Sequence, residues 1–383
     1  MSMSVDRHIH VVSFNVPYPA DYGGVIDVYF RLQALHREGV SITLHCFDYG
    51  RGEQPELNKL CQEVYYYKRR SLWRGLTSSL PLFVAARRSS LLTARLLLDD
   101  DPILLEGLHT SALMLDHRID RKRCYIRLHN DEAVYYRSLA GRERSWWKRL
   151  YFELEARRLE QFEHILEQAA GVFTISRPEQ EKFAGKYKNI LYTGPFHAWQ
   201  QTEIKTGRGS YILYYGNLSV NENEEAVRYL LDELSSSLPA ELVIAGKEPS
   251  PQLQAAIAGK KQVRLISDPD QNTMLDLIRQ AQVLVLPTFQ PTGIKLKLID
   301  ALFNGRHIIV NSPMIAGTGL EDLVTIADDP VALRQMVQQA WETEFTDEMV
   351  SRRRAHPALP DNRQAVTVIM KKCFPVIPPA ASR

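Results

Sequence analysis

The chain has 383 residues, 45% of them hydrophobic and 24% charged, with 20 glycines and 20 prolines. That length predicts two domains of roughly 150–200 residues, and the composition excludes a disordered, collagen-like or coiled-coil protein. Lys and Arg total 47 against 45 for Asp and Glu, leaving +2, a balance that gives no argument for a nucleic-acid partner.

The longest apolar stretches run about six residues, Val283 to Pro287 being typical, too short for a bilayer-spanning helix. Met1 to His10 lacks the apolar core of a secretion signal. Cys46, Cys61, Cys124 and Cys373 lie far apart, none at metal-ligand spacing, and three sit in or beside apolar runs. Buried thiols in a reducing cytoplasm fit that pattern better than a disulfide framework.

Short runs rich in Val and Ile alternate with longer helix-period segments almost from end to end. In the first half the expected strands are 8–14, 41–47, 64–67, 103–106, 124–128, 171–175 and 189–192. Near-continuous apolar runs such as Ile103–Leu105 suit parallel strands covered on both faces. Val25, Val28, Leu32 and Leu35 mark one helical stripe, and 144–168 reads as the longest helix, laced with pairs such as Glu153–Arg157. The second half repeats the scheme, with strands at 211–215, 241–245, 263–266, 283–286 and 307–310. Helices fall near 222–233, 251–258, 272–281 and 295–303. Thr193–Ser210 carries no hydrophobic period and reads as a linker. The expected architecture is therefore α/β, two doubly wound parallel-sheet, Rossmann-like domains facing a cleft, with ligands beyond the carboxyl ends of the strands.

Four stretches could carry chemistry. Pro17 to Gly24 follows the first strand and runs into a helix. The Gly23–Gly24 pair lets backbone N–H groups approach a phosphate or sugar, and it serves equally as a plain turn; the G-x-G-x-x-G dinucleotide pattern is absent. The loop from Pro287 to Gly293 holds Thr288, Gln290 and Thr292 and opens a helix bearing Lys295 and Lys297. Lysine there opposes the helix dipole, which is tolerable where an anion binds; a solvated face balanced by Asp300 is the alternative. Arg127-Leu128-His129-Asn130 lies just past the fifth strand, and His109 also follows a strand end, although an isolated histidine there is more often structural. Finally, Val64 to Leu98 has no acidic residue and carries Lys68, Arg69, Arg70, Arg74, Arg87, Arg88 and Arg95 among Tyr65, Tyr66, Tyr67, Trp73 and Phe83. With Trp146-Trp147-Lys148-Arg149, it suits an anionic membrane surface or an anionic lipid-linked substrate; a solvated surface over core aromatics fits as well. His-Glu-x-x-His, Cys-x-x-Cys, Walker and G-x-S-x-G patterns are absent, which argues against a metal hydrolase, a P-loop enzyme or a nucleophile-elbow hydrolase.

Taken in order, these pieces resemble the retaining glycosyltransferases of the GT-B fold, closest to glycosyltransferase family four (the glycosyl transferases of group 1). The glycine pair followed by VIDVYFRLQALHREGVSITLHCFD is similar to that family's opening strand, loop and helix. YYGNLSVNENEEAVRYLLDEL looks like the start of its donor domain. LVIAGKEP, VRLIS, MLDLIRQAQVLVLP and TGIKLKLIDALFNGRHIIVN follow in the family's usual order. The likeness covers nearly the whole chain, and its last block is the most specific.

The resemblance implies an acceptor-binding domain over 1–195, a nucleotide-sugar donor domain over 196–362, and a helix and tail over 363–383 packing back on the first. Gly23 and Gly24 would lie against the donor phosphate and the acceptor, and His129 would reach toward the donor sugar. Gly216 would meet the phosphates, and the backbone of Ile266 and Ser267 would read the base. Thr292, Gly293, Ile294 and the Lys295–Lys297 helix start would receive the diphosphate and sugar, and Asp300 the ribose hydroxyls. Three positions depart from the family. Its first motif glutamate is Thr292 here, the second is the shorter Asp300, and its phosphate-binding Arg and Lys correspond to the uncharged Asn217 and roughly Asn221. Lys295 and Lys297 are expected to supply the missing charge.

The implied enzyme is a hexosyltransferase that uses a UDP- or GDP-sugar without an essential metal or other cofactor. It would serve a glycan or lipid-linked acceptor in polysaccharide or glycoconjugate assembly, in the cytoplasm or peripherally on the inner face of the membrane. A nucleotide-sugar 2-epimerase of the same fold, or a non-catalytic nucleotide- or partner-binding relative, are the alternatives.

Overall fold

The computed structural model describes residues 7–70, 79–235, 238–289 and 296–375. They fall into two units: Met1–Ala198 with Asp361–Arg383, and Trp199–Pro360.

The first unit is built on a seven-stranded, wholly parallel sheet. Its strands are β1 (His8–Ser13), β2 (Ser41–Asp48), β3 (Glu63–Lys68), β4 (Ile103–Glu106), β5 (Cys124–Leu128), β6 (Gly171–Thr174) and β7 (Ile190–Tyr192), in the order β3-β2-β1-β4-β5-β6-β7. The second unit holds six parallel strands: β8 (Ile212–Tyr215), β9 (Leu242–Gly246), β10 (Val263–Ser267), β11 (Val283–Val285), β12 (His307–Val310) and β13 (Thr325–Ile326). Their order is β10-β9-β8-β11-β12-β13. Because β1 and β2 pair, as do β1 and β4, the strand order reverses beside β1; in the second unit it reverses beside β8. A reversal leaves a crevice at the carboxyl edge of such a sheet, between loops that turn to opposite faces.

The apolar runs are buried as a parallel sheet requires, with Ile103, Leu104, Leu105, Ile126 and Val172 closed to solvent. The stripe Val25, Val28, Leu32 and Leu35 on the Gly23–Arg37 helix is likewise buried; each such side chain contributes about 1.5–3 kcal/mol. All four cysteines are free and buried. The Asn362–Cys373 helix lays Ala365, Val366, Ile369 and Cys373 into the first unit's core.

Three local expectations change. The 144–168 segment is an α-helix only over Trp146–Phe162 and tightens into a 3-10 turn over Glu163–Gln168. The tighter winding brings Ile165 and Leu166 into the core beside Phe162, and Asn189 Nδ2 caps the Leu166 carbonyl at 3.0 Å. The 193–210 segment is not a free linker over its first residues. Phe196 is fully buried against the Arg31 and Arg127 guanidinium groups, and His197 is tied to Asn362 by two hydrogen bonds. The two-residue β13 was not anticipated; with only Thr325 and Ile326 in the ladder it has no period to read.

Candidate functional site

Each unit presents a cluster of polar groups at its strand-order reversal. In the first, Gly24 sits in the first turn of the Gly23–Arg37 helix. A Cβ there would lie 2.7 Å from Cζ of Phe14, whereas Gly23 faces open space. The missing side chain is thus what lets Phe14, just past β1, lie edge-on to the His129 ring with centroids 5.4 Å apart.

His129 follows β5 and donates from Nε2 to Glu106 Oε2 at 2.8 Å, at the end of β4. It caps an ion network that is buried throughout. Arg31 bridges Glu106 and Asp27, and Arg127 grips both Asp27 oxygens at 2.7 and 2.6 Å. Arg127 also donates to Thr193 and to the Gly194 carbonyl. Burial alone would raise the Asp27 carboxyl, but Arg127 and Arg31 pull it well below the usual carboxylate range. Two guanidinium groups balance two carboxylates, and the network fixes the His129 ring at the carboxyl edge of the sheet. Asp27, Glu106 and His129 have ligand atoms close enough for a metal, but the arginines already neutralise those carboxylates. His8, His10, Asp99 and Asp101 form a second such group at the sheet's opposite edge. There the histidines donate to the carboxylates at 2.8–2.9 Å, and Arg123 also holds Asp99.

Beside Phe14 lies His109, whose imidazole is pushed down to about 3 by burial and by Arg87, His129 and Arg69. The buried Glu132 carboxyl, 4.0 Å from His109 Nδ1, is pushed up to about 8 by burial and by Glu179 and Asp131.

In the second unit, Gly216 and Asn217 follow β8. The turn is packed so closely that a Cβ on Gly246, at the end of β9, would fall 1.9 Å from the Gly216 carbonyl oxygen. Asn217 Oδ1 accepts from the backbone and hydroxyl of Ser219 and so closes the turn. Asn223, on the first turn of the Asn221–Leu234 helix, donates to the Asn217 carbonyl at 2.8 Å. Its Oδ1 accepts from Lys297 Nζ at 2.9 Å and from the Tyr214 hydroxyl at 3.1 Å. Lys297 belongs to the helix described over Leu296–Asn304, which follows β11. The Lys297 ammonium group is therefore held against the first turn of the Asn221–Leu234 helix, where unsatisfied N–H groups already favour an anion.

Asp300 stands one turn further on. Its Oδ1 accepts from Trp199 Nε1 at 2.7 Å. Burial lifts the carboxyl to about 6, the indole hydrogen bond pulling the other way. Ile266 and Ser267 end β10, away from the Asn223–Lys297 pair in strand order. Thr292, Gly293, Ile294 and Lys295, and in the basic stretch Trp73 and Arg74, lie outside the described residues.

The basic stretch is not a uniform exposed face: Tyr67 and Arg87 are buried. Trp146, Trp147, Leu150 and Leu154 are exposed along the Trp146–Phe162 helix. No helix among the described residues is long and apolar enough to cross a membrane.

Sequence reading missed Asp27, Arg31, Glu106, Asn223 and Trp199. The signal for Glu106 was a charge inside an otherwise apolar run, ILLE; for Asn223 it was the NEN following the Gly216–Asn217 turn.

Two parallel-sheet α/β units of this kind match the fold of solved GT-B glycosyltransferases. No family model matches the chain. The S. aureus TarM structure, in complex with fondaparinux, alpha-GlcNAc-glycerol and UDP, aligns with a TM-score of 0.65 at 9% identity, over 96% of this chain and all of that one. A glycosyltransferase from Rickettsia africae aligns with a TM-score of 0.65 at 11% identity, over 97% of this chain and 100% of the other. In sequence, the chain is 26% identical over 343 residues to an uncharacterized 44.6 kDa protein of the Klebsiella pneumoniae cps region, covering 84% of this chain and 88% of that one.

Proposed function

We propose that this protein is a retaining, hexosyltransferase-class glycosyltransferase that moves a sugar from a nucleotide diphosphate to a glycan or lipid-linked acceptor in cell-envelope polysaccharide assembly. The observation that carries the proposal is Lys297, held by Asn223 against the first turn of the Asn221–Leu234 helix at the second unit's strand-order reversal. Such a place stabilises the charge that develops on a departing diphosphate. The UDP in the TarM complex and the cps-region relative support the donor class and the polysaccharide setting.

In this reading the second unit takes the donor. Gly216 and Asn217 face its phosphates, Lys297 with Lys295 and the Thr292-Gly293-Ile294 loop hold the diphosphate and sugar, Asp300 takes the ribose hydroxyls, and Ile266 and Ser267 read the base. The first unit takes the acceptor, with Gly23 and Gly24 leaving room at the helix start and His129 positioned by Glu106. The anomeric C–O bond to the diphosphate breaks, and the acceptor oxygen bonds to the same face of that carbon. The hydroxyl proton passes to the leaving phosphate. The exposed Trp146 and Trp147, next to Lys148 and Arg149, support a peripheral position on the inner face of the cytoplasmic membrane.

A thermal-shift panel of UDP, GDP, ADP and their sugars tests the donor assignment. One nucleotide class should stabilise the wild type, and Lys297→Ala should weaken that binding about tenfold or more. A flat panel on folded protein refutes the transferase reading, and unchanged affinity in Lys297→Ala refutes the role given to the lysine.

A further inference from the structure

Arg69 and Arg87 stand at the carboxyl edge of the first unit's sheet, and neither has a carboxylate partner among the described residues. Arg69 is the first residue past β3. Its guanidinium stacks on Tyr49, just past β2, at 3.5 Å from the ring centroid, and its Nη1 is buried with no hydrogen bond. Arg87 is 5% exposed and faces the same ring at 5.6 Å. It donates from Nε to the Phe14 carbonyl at 3.1 Å and from Nη1 to the Phe83 carbonyl at 2.9 Å. Its Nη2 makes no hydrogen bond among the described residues.

Each nearby acid is otherwise engaged. Asp21 is paired with Arg51. Asp48 accepts from the backbone N–H groups of Gly50, Arg51 and Gly52. Glu132 lies 4.0 Å from His109 and makes no ion pair with either arginine among the described residues; burial and its acidic neighbours lift its carboxyl to about 8, with Arg87 pulling the other way. Residues 64 to 98 contain no acid at all. Burial draws the Arg87 guanidinium down to about 10 and lowers Arg69 as well, with Arg87 adding to that effect. Desolvated positive charge without a counter-charge is costly, and two guanidinium groups on one aromatic ring would relieve that cost by sharing a bidentate oxyanion.

We infer that Arg69, Arg87 and Tyr49 form a subsite for a phosphate group carried by the acceptor. The inference deepens the transferase reading and rests on it for the word acceptor; the anion subsite itself does not. Arg87 also holds the carbonyl of Phe14, whose ring packs on His129 and His109. The phosphate would thus be bound next to Phe14, His109 and His129.

The experiment titrates inorganic phosphate, with acetate as the carboxylate probe, into wild type, Arg69→Gln, Arg87→Lys and, as a surface control, Arg118→Gln by calorimetry, after circular dichroism has shown each to be folded. Arg69 is partly exposed and its variant should fold; Arg87→Lys keeps the charge and loses the fork; Arg118 is an exposed arginine outside both sites. Phosphate should bind wild type and Arg118→Gln alike, and about tenfold or more weaker to both arginine variants of the subsite. An equal loss of binding in Arg118→Gln, no binding to wild type, or tighter acetate than phosphate binding overturns the inference. Competition then identifies the source. Displacement by phosphatidylglycerol vesicles and not by phosphatidylcholine vesicles assigns a lipid-borne phosphate; no displacement by either assigns a glycan-borne or soluble one. Phosphate binding without any nucleotide binding leaves the subsite standing and removes the transferase reading, and the converse result does the reverse.

Discussion

Replacing Asp27 with Asn should destabilise the first unit severely despite the near-identical shape. Four donors converge on the carboxylate: Arg31 Nη1 and Arg127 Nε on Oδ2, Arg127 Nη2 and the Phe196 amide on Oδ1. Whichever way the new amide turns, its NH2 faces two donors, and the buried network gains a net positive charge. Removing one partner of a buried ion pair costs about 3–5 kcal/mol. For a unit of this size that corresponds to roughly 6–20 °C in the midpoint of its transition by scanning calorimetry. Because the arginines hold the folded Asp27 carboxyl below its ordinary 3.8, its contribution is complete above that pH and is lost only as pH falls through the folded value. A measurement at pH 7 therefore captures all of it. Adding Arg31→Met restores neutrality, so the double variant should be less destabilised than the sum of the two single changes, by about 0.5–3 kcal/mol. A loss below about 1 kcal/mol for Asp27→Asn, or simple additivity, would refute the claim that charge balance holds this network.

Gly24→Ala should lose about 1–3 kcal/mol in urea denaturation as its methyl group displaces the Phe14 ring, while Gly23→Ala stays within about 0.5 kcal/mol of wild type; equal effects would remove the steric account of the pair. Glu132→Gln carries no ionisable group, whereas wild-type Glu132 binds a proton more tightly folded than unfolded between its ordinary 4.5 and about 8. Wild-type stability should therefore fall relative to the variant as pH rises through that window and level off above it; a difference independent of pH would show the carboxyl to be unperturbed. Changing Trp146 and Trp147 together to Ala should reduce sedimentation with phosphatidylglycerol vesicles while leaving the melting midpoint within about 2 °C, since both side chains are mostly exposed; unchanged sedimentation would detach that helix from any membrane role.

The architecture was legible because a parallel sheet covered on both faces demands uninterrupted apolar runs, and helices demand a longer period. Ile103–Glu106, Cys124–Leu128 and His307–Val310 can be placed to the residue on that basis. Of the residues singled out by sequence, Gly24 has Phe14 packed where its Cβ would be, and Lys297 is tied to Asn223.

Side-chain partnership was not legible, because it joins residues far apart in the chain. Asp27 and Arg127 are a hundred positions apart and Asn223 and Lys297 seventy-four, and nothing local distinguishes Arg31, sealed in an ion network, from a solvated arginine on a helix. The same holds for Arg69 and Arg87, which composition groups with five other basic residues and which Tyr49 gathers at one sheet edge. Sequence by itself determined every strand but the two-residue β13, their parallel class and the loops at their carboxyl ends, since those follow from burial and period along the chain. Which charges are neutralised and which are left facing a ligand was decided only by tertiary structure, because a charge's environment is set by whatever the fold brings within a few ångströms of it.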